Sequence, residues 1–451
     1  MTVSAPDVCA RHGIETRLKC ASCQTPICLR CQVRTEVGLK CPDCAKPAAV
    51  PPPPRSFSGM TAIASVAVGI AIVVALVVVV VRLRASSPND TIPPPPAPVG
   101  AWTALPDLST LRGGTTAVLL GDGRIMAVGG GIGAIPLSGT EIYDPTTQRW
   151  TASADLAQAR RGNETVVLGD GRVLVSGGIA GSKVLASTEI YDPAKGRWAT
   201  VAPMHEPRFD HMLTVLQDGR VLAVGGTSND GSNGLSTAEI YNPKADTWTM
   251  VSGGMSTPRT GARAVLLKDG RVLVVGGVTN LGPSGATLDS AEIFDAAGNV
   301  FTHTGSLRQA RADLTLTLLS DGRVLAAGGM NSEGTLATAE ILDPVVGTWA
   351  EAGAMATSRH LATASRLANG EVLVTGGETT QGGTRTSLTA AELYDPAGNS
   401  WKPATSMSCP RFEAAQVTLQ AGTKAVVIGG DTALPGEPTH PQSCSELFTA
   451  P

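Results

Sequence analysis

The chain has 451 residues, with 52 glycines, 31 prolines, only 4% aromatic residues and a net charge of -3. So many turn-forming residues exclude long helices through most of the chain, and the missing excess of Lys and Arg argues against a general nucleic-acid binder, which needs it to displace counterions. The charge is uneven: residues 1–56 hold eight Lys+Arg against four Asp+Glu, so the remainder is net acidic.

Seven of the nine cysteines fall before residue 45. They form Cys9-x2-His12, Cys20-x2-Cys23, Cys28-x2-Cys31 and Cys41-x2-Cys44. Two ligands separated by two residues grip one ion from a tight knuckle, and four such pairs supply the eight ligands of two tetrahedral zinc sites. A segment of 1–48 has almost no apolar core, so metal binding would supply most of its folding free energy. The basic residues Arg11, Arg17, Lys19, Arg30, Arg34 and Lys40 would screen seven thiolates around two dications, a local use that weakens any nucleic-acid reading. The pattern resembles the B-box type of zinc finger. That resemblance implies a cross-brace, with Cys9, His12, Cys28 and Cys31 on one ion and Cys20, Cys23, Cys41 and Cys44 on the other. Spacing alone equally allows consecutive pairing, and the Cys41-Pro42-Asp43-Cys44 ending departs from the histidines of the usual animal B-box.

A proline-rich linker at 49–59 leads into Met60 to Val81, 22 residues without a charge. At about 1.5 Å per residue, such a helix spans the roughly 30 Å hydrocarbon core of a bilayer. We read 60–81 as a single transmembrane helix, followed by a Ser/Pro-rich linker at 82–100 whose Pro93 to Pro96 run acts as a semi-rigid spacer. Positive charge near the span barely decides its orientation. Zinc thiolates persist in a reducing compartment, which places the amino terminus in the cytoplasm and the larger carboxy-terminal region in the periplasm or outside the cell.

Residues 101–451 repeat one series of signals seven times. An arginine precedes an apolar strand (Arg112, Arg160, Arg208, Arg259, Arg311, Arg359, Arg411), at spacings of 48 to 52 residues. A turn and second strand follow, as in Asp269 to Gly277, DGRVLVVGG, ending in Gly-Gly. After a variable loop a glutamate opens a third strand (Glu141, Glu189, Glu239, Glu292, Glu340, Glu392, Glu446), and an aromatic residue marks a fourth (Trp150, Trp198, Trp248, Phe301, Trp349, Trp401). Four short strands at this period are the signature of a propeller blade. The seventh unit stops before a fourth strand, while Trp102-Thr103-Ala104-Leu105 is a fourth strand with no blade before it, so the two should join and close a ring. The fold class is therefore mainly β, a seven-bladed propeller closed by an N-terminal strand and preceded by the zinc module and one membrane helix.

The repeat resembles the kelch family, on motifs such as Gly177-Gly178, Tyr191-Asp192-Pro193 and Trp198. It is also similar to the repeat region of galactose-oxidase-like proteins. That second resemblance would imply copper held by tyrosines and histidines, yet Tyr143, Tyr191, Tyr241 and Tyr394 all occupy the repeat's own position. Tyrosine, tryptophan, and the repeated Arg and Glu are therefore assigned to packing and an ion-pair lattice, and no catalytic motif stands out.

The loop before strand one and the loop between strands two and three emerge on one face. The latter varies from 10 to 15 residues while the Asp-Gly turns opposite hardly change, so ligands are expected on the variable face. Its most diverse stretches are His205-Glu206-Pro207-Arg208-Phe209-Asp210-His211, Ser358-Arg359-His360 and Arg411-Phe412-Glu413. The candidate ligand residues are His205, Arg208, Phe209, Asp210, His211, Arg359, His360, Arg411 and Phe412. Cys409 and Cys444 flank the seventh blade on this same face and are expected to form a disulfide. The functional expectation is a membrane-anchored adaptor, the propeller binding a protein or glycan and the zinc module a protein partner; the alternative is a galactose-oxidase-like or carbohydrate-active enzyme.

Overall fold

The computed structural model describes residues 97–451 except 229–232, 283, 420–421 and 434–437, and four short strands before them. Those early strands pair as Asp7–Val8 with Glu15–Thr16 and Val33–Thr35 with Gly38–Lys40. Residues 1–93 and 94–451 are separate compact units. The expected zinc ligands Cys9, His12, Cys20, Cys23, Cys28, Cys31, Cys41 and Cys44 lie outside the described residues, as does the expected span at 60–81. Among the described residues no helix is long and apolar enough to cross a membrane.

Seven antiparallel four-stranded sheets make up the second unit. In the first blade the strands run outward as Thr116–Leu119, Ile125–Val128, Thr140–Asp144 and Arg149–Ala152. The innermost strand of each blade packs against those of the blades on either side, and that of the seventh returns to the first. The ring closes through Ala101–Leu105, which pairs with Ser445–Thr449 in the register Phe448↔Trp102 and Ser445↔Leu105. The two ends of this unit thus share one sheet, in which Ala101–Leu105 is the outer edge and Ser445–Thr449 is paired on both sides.

Each second strand is apolar over most of its length because both its faces are covered. In Val272–Val275, Val272 and Val274 pack with Leu222 and Val224 of the preceding blade, while Leu273 and Val275 pack with Val324 and Ala326 of the following one. The aromatic residues work the same seam: Tyr241 lies 5.1 Å from its cross-strand partner Trp248, and both pack on Leu174 and Ile190 of the preceding blade. The Trp248 indole N–H donates to the Ala202 carbonyl of that blade at 3.0 Å.

The turn before the second strand is set by aspartate and glycine. Arg172 donates to Asp170 through its backbone N–H at 3.1 Å and its Nε at 2.8 Å, and Gly171 takes φ +86° while donating to the Leu168 carbonyl. Asp170 itself is not left-handed, so this is the hairpin loop that ends on one left-handed glycine, rather than the two-residue turn with both central residues left-handed.

Beneath the variable face, each repeat arginine is buried and paired with its own glutamate. The N–O distances are 2.8, 2.9, 3.1, 2.9, 2.8, 2.7 and 2.9 Å from the first blade to the seventh. Arg311 shows the pattern: one guanidinium nitrogen donates to the Gly328 and Thr338 carbonyls, the other to Glu340. The Glu340 carboxylate accepts in turn from the backbone N–H groups of Arg308 and Gln309. The arginine's own carbonyl accepts from the preceding blade, Gly277 N–H to Arg311 O at 3.0 Å, and every blade repeats this bond through to Gly430 N–H and Arg112 O. Glycine is required there: a Cβ on Gly276 would stand 2.3 Å from the Arg311 carbonyl, and one on Gly277 2.6 Å from that of Thr260. In the seventh blade Cys409 and Cys444 are joined as a disulfide across 35 residues, beside the same lattice, with the Cys444 carbonyl accepting from Arg411.

Arg311→Met leaves Glu340 buried without its charge partner and is expected to cost about 3–5 kcal/mol. Arg271→Met removes a half-exposed pair with Asp269 and is expected to cost less than about 1 kcal/mol. Urea unfolding of the two variants measures the difference.

Candidate functional site

The start of the innermost strands and the loops of the variable face enclose a cavity of about 620 Å³ over the ring's centre. Its position follows from the lattice. Each arginine holds its own loop down, the next residue pairs with the residue after Gly-Gly, as in Arg161↔Ile179 and Phe209↔Thr227, and the chain then turns over the channel.

That turn uses the same conformation in all seven blades. The second residue after each arginine is left-handed: Gly114, Gly162, Asp210, Gly261, Asp313, Leu361 and Glu413, with φ between 50° and 61°. Four N–H bonds knit part of this circle, from Asp210 to Gly162 O and then, as an unbroken run of three, from Asp313 to Gly261 O, Leu361 to Asp313 O and Glu413 to Leu361 O. Glycine and aspartate tolerate this region, while glutamate and leucine seldom enter it.

The side chains on the circle bring carboxylates together. Asp210, Asp313 and Glu413 line the cavity with Glu164 and Asp431, opposed by Arg161 and Arg263. Asp210 and Glu413 are exposed to the solvent of the cavity and Glu164, Asp313 and Asp431 are half-buried, yet all five stand in a recess walled by protein. Loss of hydration raises Glu413 to about 7, helped by the negative charges of Asp210, Asp431 and Asp313. The same desolvation raises Glu164 to about 7 and Asp210 to about 6, with Asp313 adding to the latter. Asp313 and Asp431 are raised by burial as well. Glu413 and Glu164 thus hold their protons close to neutrality, and Asp210, Asp313 and Asp431 hold theirs more firmly than a free carboxyl does.

The residues expected on the ligand face divide. Phe209 and Asp210 line the cavity. His205 is exposed but outside the cavity lining, its Nδ1 2.8 Å from Glu239. Arg208, Arg359 and Arg411 do not face solvent: their guanidinium groups fold back under the loop into the pairs with Glu239, Glu392 and Glu446. His211 lines the cavity but is 1% exposed, with Nε2 3.0 Å from Ser176 Oγ; burial, then the charges of Arg208 and Arg160, push it down to about 3 and keep it neutral. His360 is mostly buried, with Nδ1 2.9 Å from the Glu378 carbonyl. Phe412 is buried beneath the Arg385 guanidinium, 5.7 Å from its ring centre. Sequence reasoning missed Glu164, Asp313, Asp431, Arg161 and Arg263. The signal that would have found Asp313 is its place two residues after a repeat arginine.

A carboxyl raised in the folded state contributes stability that is present below its unfolded pKa and lost as pH rises through its folded one. For Glu413 the window runs from about 4.5 to about 7. Glu413→Gln is therefore expected to raise the melting temperature at pH 8 by about 1–3 °C, with the gain shrinking toward pH 5. Thermal melts of the two proteins at both pH values check it.

The kelch motif matches residues 113–157, 160–205, 211–255 and 317–356. No curated protein matches the chain. Among solved structures, a fungal alcohol oxidase with catalytic diversity in the AA5 family, in complex with copper, is similar at a TM-score of 0.62 and 20% identity, over 78% of this chain and 77% of that one. A likeness at that identity speaks for the fold. Copper in that neighbour invites a test of the residues here. No tyrosine lines the cavity; the Tyr191, Tyr241 and Tyr394 hydroxyls are engaged with Ser153, Asp246 and Asn399. The one histidine of the lining is His211, buried and bonded to Ser176, and among the described residues no three His, Cys, Asp or Glu gather as metal ligands. These residues do not fit that ion. The chain carries kelch repeats, folded as a seven-bladed β-propeller.

Proposed function

We propose that the propeller is the recognition module of a membrane-anchored adaptor, binding a protein ligand at the cavity of its variable face. A glycan is the second ligand class this face could take. The observation that carries this reading is the asymmetry of the ring. One face has near-identical Asp-Gly turns closed by their own ion pairs, such as Asp170 with Arg172. The other has loops of differing length around a cavity lined by polar and charged side chains. A rigid frame with variation confined to one rim is the usual arrangement of a binding scaffold. A galactose-oxidase-like activity shares the fold, but the cavity supplies no tyrosine–histidine donor set for it.

In this reading the amino-terminal segment folds around two zinc ions and engages a protein partner in the cytoplasm, while the 60–81 helix anchors the chain and the propeller faces outward. A photocrosslinking side chain introduced in intact cells at Leu281, exposed at the cavity rim, is expected to trap a discrete partner. The same group at Asp122, on the Asp-Gly face, is expected to trap none. Equal trapping at both sites, or at Asp122 alone, would overturn the assignment of the face. External protease should remove the propeller in the same cells; protection would place it inside. Elemental analysis of the purified protein should give two zinc ions per chain.

A further inference from the structure

We infer that the cavity receives a basic side chain, lysine or arginine, presented by the protein partner; this rests on the binding reading above. Five carboxylates, Glu164, Asp210, Asp313, Glu413 and Asp431, face two guanidinium groups, Arg161 and Arg263, so three acidic groups are in excess within one recess. The arginines are partly spent elsewhere: Arg263 donates to the Ala262 carbonyl and Arg161 to that of Gly133. Like charges crowded in one recess are costly unless protonated or met by a cation. A ligand cation would relieve that crowding, and its affinity comes from a repulsion already built into the free protein.

A second observation is independent of the acids. Thr260 is wholly buried in the cavity lining, and its hydroxyl has no partner. Asn163, 2% exposed in the same lining, leaves its Oδ1 unpartnered although its amide nitrogen is bonded to Thr116 and Thr165. Both atoms can accept hydrogen bonds, but they are sealed beneath the cavity surface, so they add to the unmatched acceptors of the wall rather than touch the ligand.

The wall decides between a free amine and a side chain. Ile179, Phe209, Val278 and Leu281 line the same cavity, and Leu281 is 52% exposed. Apolar groups beside an acidic floor match a cationic head on a hydrocarbon stem, flanked by apolar neighbours of the same peptide.

The test uses the full chain in detergent and a fluorescein-labelled peptide, Gly-Leu-Arg-Leu-Gly, with a counterpart carrying neutral citrulline for arginine. Saturable binding is expected, at least ten-fold weaker for citrulline and weakened by added salt. Asp210→Asn with Glu413→Gln should lower affinity at least ten-fold. Asparagine keeps the left-handed backbone accessible at 210, and removing the repulsion should not unfold the ring. Glu351→Gln, at an exposed carboxylate on a fourth strand, should change nothing. Equal binding of the citrulline peptide, an unaffected double variant, or spermidine competing as strongly as the arginine peptide would each overturn the inference. If Leu281 still traps its partner when the double variant is used, the cationic side chain is wrong while the binding face stands; if Leu281 traps nothing in the unaltered protein, the binding reading itself fails.

Discussion

Each repeat arginine joins two blades through one residue. Its guanidinium closes its own blade on the glutamate of the third strand and two carbonyls, and its backbone carbonyl accepts the N–H of the preceding blade's second glycine. Every group in this arrangement is buried, so a charged side chain there is tolerable only because nearly all of its donors are matched. The exception recurs: in six blades the arginine Nε has no partner, and in the seventh it donates to the Cys409 carbonyl beside the disulfide. The blade that is completed by a strand from the far end of the propeller thus differs from the other six in a bonded arginine Nε and a covalent tie.

This constraint explains what is constant and what varies. The glycines cannot change because a carbonyl occupies the space a Cβ would take, that of the next blade's arginine at the first glycine and that of its own blade's entering loop at the second. The glutamate cannot change because it caps the loop entering its own blade as well as pairing the arginine. The residue two after the arginine is held by its backbone alone, so its side chain is free to differ. That freedom places glycine at three such positions in the first four blades and carboxylates at three of the seven overall. The frame therefore fixes seven equivalent points around the channel and leaves the chemistry at those points open.

The fold was legible because the lattice residues are spelled in the sequence at a regular period, and because the missing fourth strand of the seventh unit and the orphan Trp102 strand are complementary. The cavity was harder to read. Arg208, Arg359 and Arg411 stand in chemically rich stretches that suggest a ligand, but the backbone turns their side chains inward, which neighbouring residue types do not reveal. Asp313 was hidden in a plain stretch, Arg311-Ala312-Asp313, and gains meaning only once its left-handed backbone aligns it with Asp210 and Glu413. Glu164 and Arg263 sit inside innermost strands, where alternation reads as ordinary packing until the channel is seen to be polar. The zinc ligands and the apolar span remain readings of residue spacing and length.

The central claim is that the arginine-centred bonds bind seven blades into one cooperative ring that holds the mouth residues in place. Native-state hydrogen exchange at the amides of Gly130, Gly178, Gly226, Gly277, Gly329, Gly377 and Gly430 tests it most directly, since each donates to the next blade's arginine carbonyl. The account predicts that all seven exchange only with global unfolding, at a common free energy. Early exchange at Gly430 and Gly130, with the others still protected, would show that the ring opens at its closing blade and would contradict it.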